Sequence, residues 1–160
     1  MKRTTILILL IFVSSCSDNT NPELLGAWKT EACEQAPEET GSLVGSWGKG
    51  IYEFTDNNII NYSIQLYEDS TCIEKGELIP IVNGDPIIFN DLGATTLQEG
   101  IEGHQFSLFV GATEPEPVEG FYTIVNSKLC FSDNINFNPF SITSAGSETS
   151  NIDFEKCLVK

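Results

Sequence analysis

Ile60-Asn61-Tyr62-Ser63-Ile64-Gln65-Leu66 decides the fold. Large apolar side chains alternate there with Asn61, Ser63 and Gln65, and period-two alternation puts one set on a buried face and the other on a wet face, as in a half-buried β-strand. Outward from this stretch the pattern continues back to Tyr52. Further strand-forming runs occupy residues 78–82, 87–89, 106–110, 121–125, 129–131 and 152–158. No helical repeat persists for three turns. The punctuation is turn chemistry: Thr55-Asp56-Asn57-Asn58, Asn83-Gly84-Asp85-Pro86, Asn126-Ser127 and Ser144-Ala145-Gly146-Ser147. Asn and Asp bond their own backbone there, and Gly supplies positive φ. Links this short join antiparallel neighbours, because parallel ones need long crossovers. The sequence therefore predicts an all-β protein, an antiparallel meander of about eight strands forming a β-barrel.

Three longer loops are expected at residues 35–42, 91–105 and 112–119, the last rich in Pro and Glu. The inward faces would carry Ile60, Tyr62, Ile64, Leu66, Phe106, Leu108, Val110, Ile152 and Phe154. A bore of about eight strands is just wide enough to be filled by side chains or to hold one small ligand. So many large residues favour filling, which would leave any binding to the loops at 91–105 and 112–119.

The chain opens with Lys2 and Arg3, an apolar run over residues 6–13, and the small pair Ser14-Ser15 before Cys16. That order is a secretory signal, too short to span a bilayer, which takes about 20 apolar residues. Val13-Ser14-Ser15-Cys16 resembles the lipobox of bacterial lipoproteins, with valine where leucine is commonest. The resemblance implies cleavage before Cys16 and acyl chains on its sulfur, and so a membrane partner reached through a lipid anchor. In those lipoproteins an aspartate after the cysteine favours the inner membrane. Here Ser17 stands in that place, which implies the outer membrane. Residues 1–15 are then a signal peptide, 16–22 a lipidated tether ending at Pro22, and 23–160 a single barrel domain.

Taking fifteen residues from 160 leaves 145, enough for one domain. Losing Lys2 and Arg3 moves the formal charge from −15 to −17 and removes the chain's one arginine. Binding nucleic acid through a basic patch is excluded. No EF-hand loop is present, and nothing calls for a cofactor. Cys33, Cys72, Cys130 and Cys157 are isolated from one another, unlike the close pairs of zinc sites, and in an oxidising compartment they should form two disulfides. Four cysteines can pair in three ways. Joining sequence neighbours, Cys33 with Cys72 and Cys130 with Cys157, links strands that can lie side by side.

Leu24-Leu25-Gly26-Ala27-Trp28 is echoed by Leu43-Val44-Gly45-Ser46-Trp47. Gly26 before Trp28 resembles the Gly-x-Trp of lipocalin-like barrels, where the tryptophan closes the barrel floor. The family's Thr-Asp-Tyr is missing, and so is its arginine over the tryptophan. His104, in Glu102-Gly103-His104-Gln105, reads as an exposed loop residue, and no Gly-x-Ser-x-Gly elbow accompanies it. Tyr67-Glu68-Asp69-Ser70-Thr71-Cys72 reads as a structural turn. No enzyme is expected. Two functions remain: a binding module for a small apolar ligand or peptide, and an envelope component that docks another protein through its surface or loops.

Overall fold

The computed structural model describes residues 20–81, 86–110, 117–144 and 149–160. Its strands are β1 (Gly26–Thr30), β2 (Glu34–Gln35), β3 (Trp47–Phe54), β4 (Ile59–Tyr67), β5 (Lys75–Pro80), β6 (Ile87–Thr96), β7 (Glu102–Val110), β8 (Val118–Val125), β9 (Lys128–Phe131), β10 (Ile135–Asn138), β11 (Ser141–Ser144) and β12 (Leu158–Val159). Single 3-10 turns cover Glu38–Leu43 and Gln98–Gly100. The signal segment, Cys16, the tether to Asn19, Asn83-Gly84-Asp85, residues 111–116 and Ala145-Gly146-Ser147 lie outside the described residues.

Eight strands close an antiparallel barrel in the order β1, β3, β4, β6, β7, β8, β9, β12, and β12 pairs back to β1. This is the predicted meander, with a lipocalin-like topology. β2 extends the sheet beside β3, and β5 shares with β6 the same edge of β4. The Thr55–Asn58 turn joins β3 to β4, and Asn126 and Ser127, with φ of 51° and 61°, make the tight β8–β9 hairpin.

The bore is filled. From Tyr62 a continuous line of rings runs through Tyr52 (4.9 Å), Phe137 (5.0 Å), Phe131 (4.3 Å), Phe106 (5.5 Å) and Phe89 (4.8 Å) to Phe54 (5.2 Å). Trp28 is 1% exposed and its indole N–H donates to the Leu24 carbonyl at 2.6 Å. Lys160 holds its ammonium 4.8 Å from the Trp28 ring centre, so a cation covers this tryptophan although no arginine is among the described residues.

Two expectations are corrected. Residues 91–105 are not a loop: β6 runs on to Thr96 and β7 starts at Glu102, joined by the turn at 98–100. The polar character of this stretch hides a β-bulge, where Leu92 is extra between the pairs Asp91–Phe106 and Gly93–Gln105. Gly93 takes φ of 114° there, which a side chain would strain. Nor is 152–158 a strand. Ile152 makes one bridge to Ser132, the Asp153 carboxylate accepts the Glu155 N–H at 2.9 Å to form a turn, and pairing resumes at Leu158. Phe154 is consequently 50% exposed instead of inward. The hairpin of β10 and β11 was not anticipated, and it packs over one end of the barrel.

Candidate functional site

The barrel has two different ends. The floor carries the 55–58, 98–100 and 126–127 turns and residues 20–25. The mouth carries the 38–43 turn, the end of β5 and the β10–β11 hairpin.

At the floor, Ile87, Phe89 and Asp91 continue one inward alternation along β6, and Leu108, Phe106 and His104 do the same along β7. Both thus bring a polar side chain inside, beside Tyr122 of β8, which pairs with His104. The Asp91 side chain has no exposed surface. Its carboxylate accepts the Tyr122 hydroxyl at 2.8 Å, His104 Nδ1 at 3.0 Å, the Gly93 N–H at 2.9 Å and the Asn21 N–H at 3.0 Å. Burial first, then the adjoining carboxylate, pushes the Tyr122 phenol far above its ordinary range. The Asn21 side-chain oxygen accepts the Glu23 N–H at 3.0 Å, which turns the Asn21 amide nitrogen towards His104 Nε2, 3.4 Å away. That pattern suits the Nδ1–H tautomer of His104.

His104 is therefore a strand residue with a 25% exposed side chain, not the exposed loop residue the sequence suggested. A histidine oriented by a carboxylate supplies two of the three members of a hydrolytic triad. Among the described residues its Nε2 meets the Asn21 amide, not a hydroxyl or thiol. The cluster clasps residues 20–24 across the floor, so Thr20 and Asn21, inside the stretch read as tether, are already bonded to the barrel. Beside it lies an open polar groove of about 430 Å³ that includes Glu23, Thr95, Glu102 and His104.

At the mouth, the β10–β11 turn is hung from two barrel tyrosines. Tyr52 donates to the Asn138 carbonyl at 2.5 Å and Tyr62 to the Pro139 carbonyl. Burial is the main reason that both phenols are pushed up, Tyr52 well above the ordinary value and Tyr62 likewise upward. Phe140 is delivered against Gly48, where a Cβ would come within 2.9 Å of its ring, so only glycine admits that approach. The Asn138 amide donates to the Glu34 carboxylate. Between hairpin and wall an open pocket of about 240 Å³ remains, lined by Leu43, Ile64, Ile81, Ile87, Val110, Phe140 and Ile142 with Thr40, Tyr62 and Ser141. It lies just under the usual range for ligand sites, roughly 300 to 1,000 Å³.

The disulfides pair as expected, Cys33 with Cys72 and Cys130 with Cys157. Cys72 follows the Asp69 turn, in which Thr71 donates both its hydroxyl (2.5 Å) and its N–H (2.8 Å) to the Asp69 carboxylate and holds that carboxyl below its usual range. The expected binding segments fall at opposite ends: 98–100 lies at the floor, and of the expected loop 112–119 the last two residues, Val118 and Glu119, are instead the start of β8 on the mouth side, while Glu114 and Glu116 lie outside the described residues. Among the described residues no three His, Cys, Asp or Glu side chains converge as metal ligands would. No family model matches the chain, and neither the curated proteins nor the solved structures contain a match to it.

Proposed function

We propose that the protein is a non-catalytic binding module, lipid-anchored in the bacterial outer membrane, that takes a small apolar group at the mouth of its barrel. The observation that carries this reading is the pocket at Ile64, Ile87, Phe140 and Ile142: in a bore otherwise packed with rings, it is an apolar recess that stays open to solvent. Apolar surface left open at a barrel mouth is what a carrier of a tail or side chain needs. The anchor rests on the lipobox-like Val13-Ser14-Ser15-Cys16. Thr20 hydrogen-bonds Asn58 on the floor at 2.7 Å. Four residues of chain reach about 14 Å at most, so a lipid on Cys16 would hold the floor at the membrane and turn the mouth away from it.

Mass spectrometry of membrane-extracted protein tests the anchor: a chain starting at Cys16 with added acyl mass is expected, and an unmodified start elsewhere refutes it. Methyl NMR tests the site. Small apolar alcohols should shift Ile64, Ile87 and Ile142 saturably, and an Ile142→Trp variant should abolish the shifts.

A second reading, an envelope component that docks another protein, is favoured by the outer wall near β5. Ile73 and Leu78 are 77% and 53% exposed there, and among the described residues no strand pairs with the outer edge of β5. Exposed edges of this kind accept an added strand. Photo-crosslinking from position 78 in intact cells, giving one discrete adduct, would favour it.

A further inference from the structure

The mouth pocket also carries information about the charge of what it holds. Its lining is apolar apart from Thr40, Tyr62 and Ser141, and among the described residues no lysine borders it. Two of these three hydroxyls are committed: Tyr62 donates to the Pro139 carbonyl, and Thr40 donates to the Pro37 carbonyl at 2.6 Å, which leaves that of Ser141 to meet a polar head. A fatty acid would thus bury its tail here with no lysine beside its carboxylate and one neutral hydroxyl, that of Ser141, to meet it.

The rim is acidic instead. Thr40 and Leu43 belong to the 38–43 turn, which begins with the exposed pair Glu38 and Glu39. On the hairpin side, Glu34 is bound to Asn138, two residues from Phe140. Lys156 acts on Glu34 but sits 3.6 Å from Asp153, with which it is shared. The carboxylates of Glu34, Glu38 and Glu39, on a chain of formal charge −15, make this side of the rim negative.

Building on the binding-module reading, we infer that the mouth selects apolar ligands with a positively charged head, an amphiphilic amine in chemical class, and discriminates against fatty acids. The tail fills the recess beside Ile87 and Ile142, and the ammonium stays at the wet rim near Glu38 and Glu39, where it need not be desolvated. Charges at such a rim interact through water and are screened by salt.

The test titrates the full mature domain with octylamine, octanol and octanoate at neutral pH, followed through the Ile64, Ile87 and Ile142 methyl signals. Octanol reports the pocket alone. The expected order is amine, then alcohol, then acid, with about a tenfold span between amine and acid at low ionic strength that shrinks in 1 M salt, where the screening length falls to about 3 Å. In an E38Q/E39Q variant, whose changes are confined to exposed side chains, the amine should lose several-fold while octanol keeps its affinity. Octanol binding with octanoate equal to or tighter than octylamine overturns the charge preference but leaves the pocket standing. An amine preference untouched by E38Q/E39Q overturns the assigned rim. No saturable shift with any of the three overturns both the preference and the pocket.

Discussion

Replacing Tyr122 with phenylalanine isolates the floor clasp. The ring stays, still 5.1 Å from His104 and packed near Phe89 and Phe106, and only the hydroxyl that donates to Asp91 at 2.8 Å is removed. Asp91 keeps its bonds from His104, Gly93 and Asn21, so no charge is orphaned. The cost is one hydrogen bond to a carboxylate, about 1.5 to 3 kcal/mol. At roughly 2 to 4 °C per kcal/mol for a domain of this size, Tm should fall by about 3 to 12 °C. Asp91→Ala should cost more, because the buried Tyr122 hydroxyl and three N–H groups, those of His104, Gly93 and Asn21, lose their acceptor together. Urea unfolding with the disulfides intact, on both single variants and the double, gives the coupling. In the Asp91→Ala background Tyr122→Phe should cost little. Independent, additive losses, or a Tyr122→Phe protein within 0.5 kcal/mol of the parent, would refute the clasp; that bound is about the resolution of a double-mutant cycle.

The two disulfides close loops of 39 and 27 residues, worth about 4 and about 3.5 kcal/mol by chain entropy alone. Removing Cys130–Cys157 should nevertheless cost more in denaturant melts, because Cys130 and Cys157 are 0% and 4% exposed and sit beside the closing strand. The phenols of Tyr52, Tyr62 and Tyr122 are raised by burial, so the folded chain keeps protons that the unfolded chain releases above about pH 10. Stability should therefore be complete below that pH and decline as pH climbs towards the folded values, and difference absorbance should show these three phenolates appearing only with unfolding. Cys16→Ser should release the protein from the membrane fraction or stall its processing, as read by fractionation.

The alternation of β4 was legible, as were the apolar runs of β7, β8 and β9, the Asn126-Ser127 turn and the cysteine pairing. The floor site was not, for a definite reason. Asp91 and His104 extend the inward registers of Ile87-Phe89 and Phe106-Leu108 by one step, but as polar residues near glycines they read as loop. Carrying the parity back two residues would have found both. Tyr122 could not be added, because its bond to Asp91 spans 31 residues and a bulge. The plug had a signal too: Ile135 and Phe137 alternate with Asn136 and Asn138, and Asn138-Pro139-Phe140 makes the turn. Such a four-residue strand is stable only because Tyr52 and Tyr62 hold it, and those partners lie some 80 residues away.

The barrel's last seam is two residues wide. Leu158 and Val159 join Thr30 and Lys29 on one side to Leu129 and Lys128 on the other. A chain made from its N-terminus presents β1 long before residue 158 follows, and until then β1 and β9 each expose an unsatisfied edge. Such edges recruit other chains. The vulnerable period thus ends when the seam shuts, and the Cys130–Cys157 bond, set one residue ahead of it, makes the oxidation of that pair the step at which the ring becomes permanent.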